Sequence, residues 1–352
     1  MATASRTLYL HIGHGKTGTS YLQSVLACNA EKLLDRQIGY PMLPEHRTQA
    51  LRCEPTSGNF SKFIALCATG KETEALTIYH KLASAYATHS LLFSSEFLLE
   101  WLAPSPSGRL SSIMGLLGCE QVKILLYIRN PLEHAISSYA QFTSRRLPQA
   151  NNSVASLGDY IGRVYNIPGQ VLRLVTDLKA SSDADFTIIN YSNLTRPISA
   201  GFFEWLLGEH TTLESPVKPK TPRINRSLSR SEIEVARLLA SKNIPPSIVT
   251  DRWLGLEPSP NDRPLSTTLD SAKALYQRLG PTLSQINKTL PASEHYQLMT
   301  EHDLAASDLV TSSETLDSSA SDLTIRSPQI EILVEELLRY GFRKGISRPR
   351  TD

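Results

Sequence analysis

The chain has 352 residues, 36 Lys and Arg against 34 Asp and Glu, a net charge of +2 and 41% hydrophobic residues. That balance excludes a disordered polymer and provides no global field to attract nucleic acid or an anionic membrane, so any basic patch must be local. Its four cysteines (Cys28, Cys53, Cys67, Cys119) form no CxxC pair, which argues against a zinc site or a disulfide scaffold.

The β-branched and aromatic run Thr7 to Ile12 is short enough to be a buried strand. It begins too early to leave room for a charged region and an apolar signal core, and no stretch approaches the roughly 20 apolar residues of a membrane span. The expectation is a cytoplasmic protein with reduced thiols, in which the Asn-x-Ser triplet at Asn59 and the Asn-x-Thr triplet at Asn193 carry no meaning. Apolar residues at Leu22, Val25, Leu26 and Leu33 predict a helix over Tyr21 to Leu34.

Ile38 to Pro41 reads as a short strand, and residues 42 to 60, punctuated by Pro44, Pro55 and Gly58, as an irregular surface segment. Helices are expected over Phe60 to Thr69, Thr73 to Thr88 and Ser111 to Leu117, with a strand at Ser90 to Ser95. Gln121 to Ile128 is the clearest strand, its near-continuous apolarity suiting a parallel sheet covered on both faces. A helix over Leu132 to Phe142, a strand over Phe186 to Tyr191 and a helix near Ala200 to Leu207 follow. Such alternation predicts βαβ units and an open parallel sheet with ligands at the carboxyl ends of its strands.

Beyond residue 210 the character changes. Val217 to Arg223 is a basic loop punctuated by prolines, and Ser229 with Glu232 forms a capping box for a helix over Ser229 to Ser241. Residues 305 to 325, rich in Ser, Asp and Thr, read as a mobile solvated segment, and Gln329 to Tyr340 as a closing amphipathic helix.

Two stretches carry chemistry. The first, Gly13 to Ser20, joins the opening strand to a helix through glycines, hydroxyl residues and Lys16. Such a turn aims backbone N–H groups and the positive end of a helix dipole at one point, which suits a phosphate or sulfate. Walker spacing fails, because the position five before Gly15 is Leu10 rather than glycine. The second stretch is Arg129-Asn130-Pro131 at the end of a strand, with Ser137 about two turns into the next helix. Arginine supplies a rigid fork for phosphate and serine a hydroxyl donor.

Lys16-Thr17-Gly18-Thr19-Ser20 resembles the 5′-phosphosulfate loop of sulfotransferases that use 3′-phosphoadenosine 5′-phosphosulfate (PAPS), especially bacterial and glycan ones. Arg129, Pro131, Ser137 and Tyr139 match the family's 3′-phosphate motif, Arg-x-Pro-x-x-x-x-x-Ser-x-Tyr. The resemblance implies a P-loop-containing nucleotide-hydrolase-like three-layer α/β fold, an open parallel sheet flanked by helices. It further implies one sulfotransferase domain over 1–352, with a PAPS-binding core at 1–210 and a variable helical acceptor side at 211–352.

By the same resemblance Gly15, Lys16, Thr17, Gly18, Thr19 and Ser20 cradle the phosphosulfate, Arg129 and Ser137 hold the 3′-phosphate, and Tyr191 contacts adenine. Tyr191 is followed by Ser-Asn-Leu where the family often has Glu-Asp-Leu. Glu96 stands where the family's base is expected. A half-buried carboxylate suits that work by its raised pKa, although Glu96 can equally cap the helix after it. Lys16 steadies the leaving phosphate, and no metal is required.

His11 and His14 are rival bases; as a His-x-x-His pair they lack an acidic or thiol partner, so core packing for His11 and a loop role for His14 are expected. His134 is expected to be exposed. Arg223 to Ser229 resembles an Asn-x-Ser-Leu-Ser segment of bacterial sulfotransferases, its arginines either folding over the cofactor or acceptor or lying in a solvated linker. Arg343-Lys344-Gly345 lacks the Gly-Asp-Trp that follows in cytosolic sulfotransferases and reads as chance. The acceptor, a small molecule or glycan bearing a hydroxyl or amine, is open. A P-loop kinase or NTPase and a non-catalytic adenosine-bisphosphate-binding protein are the competing readings.

Overall fold

The computed structural model describes residues 5–145, 156–180, 184–208, 213–220, 226–257, 259–260, 262, 265–311, 325 and 327–343. Arg223 to Asn225, most of the serine-rich segment at 305–325, and Lys344-Gly345 lie outside the described residues. The chain divides into two compact units, each assembled from separate stretches of sequence. The first comprises Met1–Pro131, Asn166–Asn225 and Leu279–Leu298, the second Leu132–Tyr165, Arg226–Arg278 and Met299–Asp352.

The first unit is an α/β structure. Its elements run β1 (Thr7–Ile12), α1 (Thr19–Cys28), α2 (Ala30–Leu34), β2 (Ile38–Gly39), α3 (Pro44–Leu51), α4 (Ser61–Ala68), α5 (Glu72–Ser84), β3 (Ser90–Ser95), α6 (Leu98–Leu102), α7 (Pro106–Leu117) and β4 (Gln121–Ile128). After α8 (Pro131–Arg145) and the short α9 (Leu157–Asp159) come α10 (Ile167–Ala180), β5 (Ala184–Asn190) and α11 (Ile198–Leu207). The five strands are parallel in the order β2-β3-β1-β4-β5.

Three of these strands match the expected bounds residue for residue. Their central residues are apolar because both sheet faces are covered: Leu8, Leu10 and Ile12 of β1, Leu91 to Phe93 of β3 and Ile124 to Ile128 of β4 are fully buried. The connection β1→β2 runs one way along the sheet, while β2→β3, β3→β4 and β4→β5 run the other. Right-handed crossovers therefore send their helices to opposite faces. On one face Leu22, Val25 and Leu26 of α1 and Phe202 and Leu206 of α11 bury against Leu92, Leu125 and Tyr127. Each such side chain contributes about 1.5–3 kcal/mol. Elsewhere in the unit α10 packs on α6 and α7, and α4 on α5.

The predicted helix over Tyr21 to Leu34 is two helices. Asn29 breaks it: its Nδ2 donates to the carbonyls of Val25 (2.7 Å) and Val217 (2.8 Å), and its Oδ1 accepts from the Val217 N–H (2.8 Å). The segment 42–60 is not merely irregular surface. It contains α3, started by Pro44, and ends in the fully buried Asn59 and Phe60. Asn59 Nδ2 donates to the Pro41 and Leu92 carbonyls (2.8 and 3.0 Å), so this triplet asparagine is a packing hub. Helix α10 was not anticipated.

The second unit holds α12 (Arg230–Ser241), α13 (Ser247–Trp253), the strand pair β6 (Thr267–Thr268) and β7 (Val310–Thr311), α15 (Glu301–Ala305) and α16 (Ser327–Arg343). Between β6 and α15, α14 (Leu269–Asn287) starts in this unit and ends in the first. The Ser229–Glu232 capping box forms as expected. No described helix is long and apolar enough to cross a membrane.

Candidate functional site

Strand register decides what meets at the sheet's carboxyl edge. Ile12 of β1 is level with Leu126 of β4, and Leu126 with Ile188 of β5. Lys16, Arg129 and Tyr191 follow these by three or four residues, so three chain exits reach one edge together. The β1 connection leaves one way and the β4 connection the other, which makes the β1/β4 border the switch point where ligands bind in open α/β sheets.

The loop after β1 is shaped by close approach. Gly13 N–H donates to the Ser95 carbonyl (2.9 Å), and a Cβ on Gly13 would stand 2.7 Å from Thr19 Cγ2. Thr17 Oγ1 donates to the His14 carbonyl (2.5 Å) and is fully buried, so Thr17 builds the loop from inside. Thr19 and Ser20 are buried as well, leaving Gly15, Lys16 and Gly18 as the half-buried positions. Lys16 (φ 68°) and Gly18 (φ 78°) both take the left-handed conformation, and Gly18 caps α1 without a side-chain hydrogen bond. With no acidic residue in its first turn, the helix keeps its positive end for an anion.

Arg129 joins this loop directly. Its Nη1 donates to the Lys16 carbonyl (2.9 Å), and its guanidinium lies 5.8 Å from the centre of the Tyr191 ring. Tyr191 in turn borders Gly18, where a Cβ would come within 3.4 Å of the ring. Tyr191 starts a single turn after β5 rather than ending the strand, and that turn is pinned at both sides. Ser192 Oγ accepts from the Asn130 N–H (3.0 Å), and Asn190 Oδ1 accepts from the Ser192 N–H (3.0 Å).

Asn130, Asn190 and Ser192 were missed as positioning residues. The Asx turn at Asn190 had a local signal, an asparagine two residues before a serine at a strand end. Gln297, whose backbone N–H donates to Asn130 Oδ1 (3.3 Å), had none, being 167 residues away.

Glu96 follows β3, the neighbour of β1, and is half-buried. Its N–H donates to the Ser57 carbonyl (3.3 Å), and the residue before it, Ser95, supplies the carbonyl that accepts from Gly13 N–H (2.9 Å). The N-cap of α6 is Phe97, without a side-chain bond, and Ser95 Oγ takes the Phe97 N–H (3.2 Å).

His11 and His14 are core and loop groups. His11 Nδ1 meets Ser94 Oγ (2.8 Å) between the edges of Tyr127 and Phe202. Burial lowers the pKa of each to about 3, with the Arg129 charge a further cause at His14.

Ser137, His134 and Arg226 lie in the second unit. Ser137, half-buried on α8, has its Oγ 3.0 Å from Ser227 Oγ. His134 is buried, not exposed as expected, because its Nδ1 meets Tyr165 OH at 3.0 Å. Arg226 is neither a phosphate arm nor a solvated linker. It is 7% exposed, pairs with Glu232 through both oxygens (2.7 and 2.6 Å) and donates to the Trp253 carbonyl (2.7 Å). Among the described residues no cluster of His, Cys, Asp and Glu offers a metal site. Comparison with protein-family models, curated proteins and solved structures returned no match.

Proposed function

We propose that this chain is a PAPS-dependent sulfotransferase on a P-loop-like three-layer core, moving a sulfuryl group to an acceptor hydroxyl. The observation that carries the reading is the hydrogen bond from Arg129 to the Lys16 carbonyl with Tyr191 beside Arg129 and Gly18, which joins two candidate anion-binding elements 113 residues apart at one edge. A nucleotide with anionic groups at both ends of its ribose needs such a pair. The loop's fit to a phosphosulfate rests on the uncapped start of α1 and the left-handed turn at Lys16 and Gly18.

In this reading the backbone amides of Gly15 to Ser20 take the 5′-phosphosulfate, Arg129 the 3′-phosphate, and Tyr191 the adenine. Ser137 is assigned to the 3′-phosphate by its motif. PAPS supplies the activated sulfuryl group. Lys16 stabilises charge on the oxygen that leaves, and Glu96 accepts the acceptor's proton as the new S–O bond forms in line. Glu96 is favoured over His14 because a group with a pKa of about 3 is a weak proton acceptor at neutral pH. Positioning and electrostatics supply most of the rate, as in phosphoryl transfer.

One observation favours a second reading. Glu96 lies after the strand adjoining β1, a place from which an acid can also hold Mg²⁺ in a kinase or NTPase. A screen of hydroxyl and amine acceptors with labelled PAPS, run beside labelled ATP and Mg²⁺, separates the two. Transfer from PAPS without added metal supports the sulfotransferase; transfer from ATP alone overturns it.

A further inference from the structure

β2 pairs with β3 through Gly39 and Leu91 and stops there, which leaves the outer edge of β3 without a strand partner just before Glu96. The segment 57–60 takes the place of that strand. Asn59 Nδ2 donates to the Leu92 carbonyl (3.0 Å), and Asn59 Oδ1 accepts from the Ser94 N–H (2.7 Å). Phe60 N–H donates to the Ser94 carbonyl (3.4 Å), and the Ser57 carbonyl accepts from the Glu96 N–H (3.3 Å). The Leu92 carbonyl, both Ser94 groups and the Glu96 N–H are thereby paired. Only glycine permits so close an approach: Gly58 has a φ of 94°, and a Cβ there would stand 1.9 Å from the Ser94 carbonyl oxygen. Thr56 Oγ1 closes the turn by accepting from the Gly58 N–H (3.0 Å).

This strap ties Glu96 to the phosphate loop at two points. The Ser95 carbonyl and the Glu96 N–H are opposite ends of one planar peptide group. The carbonyl accepts from the Gly13 N–H (2.9 Å), and the N–H donates to Ser57. One residue before Ser57, the Thr56 carbonyl accepts from Ser20 Oγ (3.4 Å) in the first turn of α1. Ser20 is 4% exposed, and its hydroxyl has a single proton, which is given to Thr56. We propose that the strap, Thr56 to Phe60, positions Glu96 against the phosphate loop, with Ser20 and Thr56 as positioning residues. Ser20 then offers a bound anion its backbone N–H and not its side chain. The inference rests on the reading of Glu96 as the proton acceptor. In that reading the loop that holds the sulfuryl donor and the strap grip one peptide group from opposite sides. Carboxylate and transferred group are thereby aligned through a rigid unit.

The test uses the full chain with Thr56→Val, which keeps the side-chain shape and removes the acceptor of the Gly58 N–H, and Thr56→Ser, which retains it. Hydrogen exchange reads the Gly58 and Glu96 amides, calorimetry the affinity for adenosine 3′,5′-bisphosphate, and labelled PAPS the turnover of a responding acceptor. In Thr56→Val both amides should exchange roughly fivefold faster, the worth of one hydrogen bond. The kcat should fall by about the same factor, with bisphosphate affinity and the KM for PAPS unchanged, and Thr56→Ser should restore exchange and kcat together. Ser20→Ala should likewise speed exchange at Glu96 and leave bisphosphate affinity within about twofold. An unmoved Glu96 amide, an unchanged kcat, no rescue by Thr56→Ser, or a loss of bisphosphate affinity of about tenfold in Ser20→Ala overturns the proposal. A wild-type chain that binds no bisphosphate overturns the donor reading beneath it. Sound bisphosphate binding with an unmoved Glu96 amide overturns the strap alone, so the two failures are distinguishable.

Discussion

In the proposed reading Lys16 and Arg129 divide the anionic work, and Arg129 carries the first prediction. Removing Arg129 as Ala deletes charge-assisted hydrogen bonds worth about 1.5–3 kcal/mol. The preference for a nucleotide with a 3′-phosphate over one without should fall roughly 10- to 100-fold, as read by calorimetry. Because Nη1 also holds the Lys16 carbonyl, some loss of 5′-phosphate affinity should accompany it. Glu96→Gln keeps the shape and removes the proton acceptor. Turnover should drop by about 10²–10⁴ while bisphosphate affinity is unchanged; a parallel loss of affinity would instead make Glu96 a part of the binding site. Gly18→Ala should lower the melting temperature and nucleotide affinity together, since φ is 78° there, a left-handed backbone that strains any residue with a Cβ, in a turn that touches Tyr191.

At the scale of elements, the strands were the most legible part of the sequence. β1, β3 and β4 are short apolar runs flanked by turn residues, and a parallel sheet covered on both faces leaves little else for such runs to be. The meeting of Lys16, Arg129 and Tyr191 at one sheet edge was legible to the same extent, because each is tied to a strand end by chain connectivity. Helix α3 was not, since Ala50 is its one buried residue and no apolar stripe marks it. The break at Asn29 depends on Val217, 188 residues away, and the burial of His134 on Tyr165, so neither had a local signal. Arg226 looked like a ligand arm because its partner Glu232 was already explained as a helix cap. One carboxylate does both, and also accepts from Gln329 Nε2 (2.5 Å). Arg226→Ala should therefore destabilise the second unit by about 3–5 kcal/mol in chemical denaturation, because it strands a buried charge.

For the molecule as a whole, stability should depend on pH through two histidines of the sheet and its loop. Burial holds His11 and His14 neutral with pKa values near 3, whereas unfolded histidine titrates near 6.5. Between these values the unfolded chain binds more protons, so stability is full above about pH 6.5 and falls as pH drops toward 3. Scanning calorimetry should show the midpoint descending from pH 7 to pH 4, with a shallower descent in His11→Gln. The central claim is that one edge of the sheet binds both ends of an adenosine nucleotide, and calorimetry on the wild-type chain tests it most directly. Adenosine 3′,5′-bisphosphate should bind at least tenfold more tightly than ADP, without Mg²⁺. Equal affinities, or an ADP preference that needs Mg²⁺, would contradict it.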